Sequence, residues 1–92
     1  MKNKRTTDRF DNIIYYNKKG QLHRENGPAL KYANGNKFWY INGQHHREDG
    51  PAIELINGDK SWYWEDKYVT LEEYIKLNPS FLKHPNFLIY CL

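Results

Sequence analysis

The chain has 92 residues and a mass of 11.1 kDa, room for one small domain but not for a second core or a large buried active site. Its single cysteine excludes an intrachain disulfide framework and a Cys-based zinc site, and no apolar run reaches the ~18 residues of a membrane span. The net charge is only +3 and the N-terminus has no apolar leader, so a soluble protein of a reducing compartment, with no membrane partner, is expected.

Residues 1–12 read as a basic N-terminal arm, with Lys2, Lys4, Arg5 and Arg9 against Asp8 and Asp11. The remaining eighty residues set ten Lys and Arg against nine Asp and Glu, so the body is nearly neutral. Phosphate affinity comes from clustered positive charge, which makes a neutral body with a basic arm a weak nucleic-acid signature. The arm is expected to be a solvated terminus.

Residues 13–70 repeat with a period of 23 residues. Gly20-Gln21-Leu22-His23-Arg24-Glu25-Asn26-Gly27-Pro28-Ala29 returns as Gly43-Gln44-His45-His46-Arg47-Glu48-Asp49-Gly50-Pro51-Ala52. Asn34-Gly35 returns as Asn57-Gly58, and the period aligns Tyr16 with Trp39 and Trp62. The units span about 13–35 and 36–58, with a partial third over 59–70. That third unit has Glu65-Asp66 for a turn and Val69-Thr70 in place of His-Arg, as a terminal capping unit does.

The Asn-Gly pairs at 34–35, 42–43 and 57–58 predict two-residue type I′ turns between short aromatic strands. Alternation places Trp39, Ile41, Trp62 and Trp64 on one face of a sheet, and Phe38, Tyr40 and Tyr63 on the other. Leu30 and Ile53 alternate with Lys31 and Glu54, so one face is expected to be an aromatic and aliphatic core and the other half-polar.

Residues 71–92 change character. Thr70-Leu71-Glu72-Glu73 is a capping box, and Leu71, Tyr74 and Ile75 form the apolar stripe of a helix of about eight residues ending before Pro79. A helix that short needs the sheet to pack on. The tail from Phe81 to Leu92 is apolar, either completing the core or docking a second copy of the chain as a homodimer. The fold expected is therefore mainly β: a single antiparallel sheet of hairpin repeats with a short C-terminal capping helix and tail.

The period, the aromatic hairpins and the Asn-Gly turns resemble the MORN repeat family over roughly residues 13–70. The His-Arg-Glu-Asp/Asn-Gly-Pro-Ala form is similar to a variant seen in small phage and giant-virus proteins. It departs from the common pattern, in which a glycine stands near the positions of Arg24 and Arg47. The resemblance implies a curved, non-catalytic sheet that binds proteins. It also implies a phage-encoded inhibitor that occupies a host factor such as a defence nuclease complex, in the manner of anti-CRISPR proteins, in the cytoplasm of a bacterial host.

The residues themselves offer few groups for catalysis. Cys91 sits in an apolar run, Ser61 and Ser80 have no nucleophile elbow, and Glu72-Glu73 serve a helix N-terminus. His23 and His46 lack a third ligand that repeats with them, so no metal or cofactor is expected. A motif that recurs with the fold period is expected to be structural: His23, Arg24, Gly27, Pro28 and His46, Arg47, Gly50, Pro51. In that reading glycine supplies a positive φ, the imidazole bonds a neighbouring carbonyl and the guanidinium pairs with an acid. Phe38, Tyr40 and Tyr63, with Arg24 and Arg47, are the candidate protein-binding residues. The alternative is single-stranded nucleic acid or RNA stacked on the aromatic face, with the basic arm as tether.

Overall fold

The computed structural model describes residues 3–91; Lys2 of the basic arm and Leu92 of the tail lie outside the described residues. The strands are β1 (Lys4–Thr7), β2 (Ile13–Tyr16), β3 (Leu30–Lys31), β4 (Lys37–Phe38) and β5 (Tyr40–Ile41). They continue with β6 (Gln44–His45), β7 (Ile53–Glu54), β8 (Lys60–Trp64) and β9 (Lys67–Val69). The architecture is mainly β and antiparallel: seven strands in the order β1-β2-β3-β4-β7-β8-β9, with β5 and β6 forming a separate two-stranded hairpin. The C-terminal part is helical, with α1 (Leu71–Leu77), a 3₁₀ turn over Pro79–Lys83 and α2 (Asn86–Cys91).

The N-terminal arm is not a frayed end. Lys4–Thr7 forms the edge strand, paired with β2 from Lys4↔Tyr16 to Thr7↔Ile13. Its two threonines suit a strand, and its charged residues suit an edge. Asp8 closes the connection to β2, its Oδ1 accepting the amides of Phe10 at 2.9 Å and Asn12 at 3.0 Å.

The turns divide into two kinds. Asn42-Gly43 has positive φ at both positions, 48° and 80°, as a type I′ turn requires, and Glu65-Asp66 does the same without glycine at 50° and 72°. At Asn34-Gly35 and Asn57-Gly58 only the glycine is left-handed, at 103° and 97°. These are longer turns, closed by Gly35 N–H to Tyr32 O and Gly58 N–H to Leu55 O at 2.9 Å each, with glycine in a bulge position. Asn17–Gly20 turns the same way, where its counterpart Asn42-Gly43 needs only two residues.

That extra length shifts the repeat by one residue. The Tyr15 N–H bonds Ala29 O at 2.8 Å as the Trp39 N–H bonds Ala52 O at 2.7 Å. Tyr15, not Tyr16, is therefore the structural counterpart of Trp39, and Tyr16 corresponds to Tyr40 and Tyr63.

The register also corrects the expected distribution of faces. Ile14, Leu30, Phe38, Ile53 and Ser61 stand opposite one another across successive strands and so share one face. Trp39, Trp62 and Trp64 lie on the other. Leu30 and Ile53 thus do not join the tryptophans in one core, and the sheet carries apolar side chains on both faces.

The helices cover the tryptophan face. Thr70 caps α1, accepting the Glu73 amide at 3.1 Å while the Glu73 carboxylate accepts the Thr70 amide at 2.9 Å, which completes the capping box. Val69, Tyr74 and Phe81 are the buried centre, with Trp62, Trp64, Phe87 and Tyr90 packed around them. Rings meet at 4.7 Å (Trp62–Tyr74) and 5.4 Å edge-on (Tyr74–Phe81). Phe81, Phe87 and Tyr90 of the apolar tail pack here from the 3₁₀ turn and α2 and complete the core on the third unit, while Leu82, Leu88 and Ile89 stay exposed.

Candidate binding surfaces

The His-Arg-Glu-Asp/Asn-Gly-Pro-Ala motif holds one unit to the next. Nδ1 of His23 accepts the Asn42 amide at 2.9 Å, and Nδ1 of His46 accepts the Glu65 amide at 3.0 Å. Each buried imidazole thus anchors the type I′ turn of the following hairpin, accepting an N–H instead of bonding a carbonyl as expected. Nε2 then carries the proton and points to Glu25, 3.7 Å away, or Glu48, 3.3 Å away.

The two arginines have parallel geometry and different company. The Arg47 guanidinium lies over the Trp39 ring at 3.8 Å, and that of Arg24 over Tyr15 at 4.1 Å. Arg47 donates from Nε to Asp49 at 2.7 Å and from Nη1 to Pro51 O at 3.0 Å and to Glu54, whose carboxylate also accepts the Tyr90 hydroxyl at 2.6 Å. Burial works against the Arg47 charge, but the bonds to Asp49 and Glu54 outweigh it and raise its pKa. Arg24 keeps the bond to Pro28 O, at 3.3 Å, and pairs with no carboxylate among the described residues.

Gly27 and Gly50 are glycines for lack of room, since neither has the positive φ that was expected. A Cβ on Gly50 would stand 2.8 Å from Arg47 Cζ, and one on Gly27 would stand 2.7 Å from Arg24 Cζ. Pro51 is fully buried and Pro28 half-buried beside the buried alanines Ala52 and Ala29. The groove between the two motifs, about 920 Å³, is lined by His23, Arg24, Trp39, His46 and Arg47 among others.

The sheet face away from the helices carries a run of rings. His45 lies between Tyr40, at 4.3 Å, and Tyr63, at 4.7 Å; Tyr63 meets Tyr68 edge-on at 5.6 Å, and Tyr32 meets Phe38 at 5.5 Å. Phe38, Tyr40 and Tyr63 are half-buried, while Tyr68 is 66% exposed. Burial raises the pKa of Tyr40 and lowers that of His45, whose buried Nδ1 has no hydrogen-bond partner. The structure therefore brings Phe38, Tyr40 and Tyr63 together and separates them from the arginines. Arg24 remains half-buried on the opposite face, whereas Arg47 is buried among its own partners.

Two members of the ring run, His45 and Tyr68, were not among the expected binding residues. The register that would have found them is the pairing of Tyr40 with His45 and Tyr63 with Tyr68 across two-residue turns. Elsewhere, bonds from Thr70 hold the Glu73 carboxyl below its ordinary pKa, and burial pushes the Cys91 thiol up. Among the described residues no group of three or more His, Cys, Asp or Glu is placed to hold a metal ion. No family model, curated protein or solved structure matches the chain.

Proposed function

We propose that the chain is a non-enzymatic protein-binding module of the MORN-like kind, and that its contact surface is the ring-bearing sheet face. The observation that carries this reading is the run of rings Tyr40–His45–Tyr63–Tyr68, which crosses from the β5–β6 hairpin to β8 and β9 on the face away from the helices. Tyrosine rings offer a large rigid contact area with a polar edge, the chemistry from which interface hot spots are built. The motif histidines are occupied in holding the repeats together, which leaves recognition to the surface. The finer reading is a phage-encoded inhibitor that occupies a host factor such as a defence nuclease complex. Its support is the resemblance of the repeat to small viral proteins and the small size of the chain.

The test is purification of the tagged chain from a bacterial host, with mass spectrometry of what accompanies it. A protein partner in stoichiometric amount that survives a salt wash is the expected result. A chain that carries no partner, or one that carries nucleic acid released steeply by salt, overturns the reading in favour of structure alone or of base stacking.

A further inference from the structure

The second repeat motif shows what a completed site looks like, and the first motif is the same site left open. In the second, Asp49 and Glu54 pair with Arg47, Tyr90 closes over Gly50, and three backbone carbonyls are capped by side chains of the C-terminal helical part. The donors are Tyr74 Oη to Arg47 O at 2.6 Å, Asn78 Nδ2 to Glu48 O at 2.8 Å and Asn86 Nδ2 to Asp49 O at 2.8 Å.

In the first motif every one of these features is missing or reversed. Asn26 replaces Asp49 and Lys31 replaces Glu54, so the two acids become an amide and a cation. Lys31 faces Lys37 across β3–β4, and Arg5 faces Tyr15, the ring on which Arg24 rests. Arg5, Tyr15 and Arg24 line a recess of about 370 Å³, and among the described residues none from a helix lines it. Among the described residues, the carbonyls of Arg24, Glu25 and Asn26 accept no hydrogen bond. Glu25 is the acid at this rim, and its carboxylate points to His23. A guanidinium preorganised on a ring, with an amide and a cation at the positions of its acids, matches a carboxylate arriving from outside.

We propose that the first repeat motif docks an acidic segment of the partner protein, whose carboxylate takes the place on Arg24 that Asp49 and Glu54 fill on Arg47. Hydrogen-bond donors of that segment cap the open carbonyls, as Tyr74, Asn78 and Asn86 cap the second motif. The inference rests on the protein-binding reading and gives it a second contact, on the face opposite the rings.

The probe is a synthetic peptide, Glu-Glu-Tyr-Glu-Glu, titrated into the full chain by calorimetry and amide NMR. Saturable binding that shifts the amides around Arg24 is expected, weaker by at least about tenfold for Gln-Gln-Tyr-Gln-Gln. Arg24→Gln should abolish it. The decisive variant is Asn26→Asp/Lys31→Glu, which gives Arg24 the internal acids of the second motif; it should unfold at a higher temperature than wild type and bind no peptide. Absence of saturable binding, equal binding of the glutamine peptide, or undiminished binding to the double variant overturns the proposal. So does displacement of the peptide by oligothymidylate or inorganic phosphate at lower concentration than by free glutamate peptide. If the double variant keeps its full affinity for a co-purified partner that Tyr63→Ala/Tyr68→Ala loses, this inference falls while the protein-binding reading stands.

Discussion

Nδ1 of His46 accepts the backbone amide of Glu65 at 3.0 Å, and one repeat earlier Nδ1 of His23 accepts that of Asn42 at 2.9 Å. Only an imidazole whose Nδ1 is unprotonated can do this, so the neutral ring is the joint between successive hairpins. Removing it leaves a turn amide without its partner and, for His46, deletes an edge-on contact with Trp64 at 4.5 Å. His46→Ala is expected to cost about 2–3 kcal/mol and His23→Ala about 1–2 kcal/mol in urea unfolding. Dialysis against a chelator should leave the midpoint unchanged, because Nδ1 of each histidine is already taken by a backbone amide.

The motif glycines should differ in the cost of gaining a methyl group. Arg47 is fixed by two carboxylates, so the Cβ in Gly50→Ala cannot push it aside, and about 1–3 kcal/mol of destabilisation is expected. Arg24 has no such anchors and can swing away, so Gly27→Ala should cost less. Thermal melts of the two variants side by side check the order.

The same asymmetry governs the arginines. Arg47→Met leaves the part-buried Glu54 and the half-exposed Asp49 without their cation and should cost about 2–3 kcal/mol. Arg24→Met loses a half-exposed stacking contact and one long hydrogen bond and should cost less than about 1 kcal/mol. Equal losses would contradict the different environments of the two side chains.

His45 makes stability depend on pH. Burial lowers its pKa in the folded chain below the ordinary histidine value of 6.5, with Asp66 opposing this only partly. The unfolded chain therefore binds the proton more readily than the folded one. The contribution of His45 is fully present above pH 6.5 and declines as pH falls from there through the lowered pKa. His45→Phe keeps the stack between Tyr40 and Tyr63, removes the unpartnered Nδ1 and should flatten this part of the stability profile, read by unfolding at a series of pH values.

Much of the fold was legible because the repeat is written in turn residues, ring spacing and a capping box, all of which act locally. The capping box at Thr70 and Glu73 formed as its spacing implied, and Glu65-Asp66 took the place of a glycine turn. What the sequence hid depends on one extra turn residue or on packing across the chain. Asn17–Gly20 moves the equivalence from Tyr16 to Tyr15, which only the ladder bonds reveal. Gly27 and Gly50 looked like residues of positive φ, yet each leaves room for the arginine three residues before it, whose fold-back is set by a ring from an earlier strand, Tyr15 or Trp39. The ring run was half visible: Tyr40 and Tyr63 follow from alternation, whereas His45 and Tyr68 join only through hairpin register.

Binding through the ring-bearing face is tested most directly by the Kd of the purified partner for the wild-type chain and for Tyr63→Ala/Tyr68→Ala. Circular dichroism of the variant confirms that the sheet is intact. Two tyrosines in one contact, Tyr63 half-buried and Tyr68 66% exposed, should together supply at least about 2 kcal/mol, so a rise in Kd of about thirtyfold or more is expected. A folded variant that binds the partner with unchanged Kd would contradict recognition by this face.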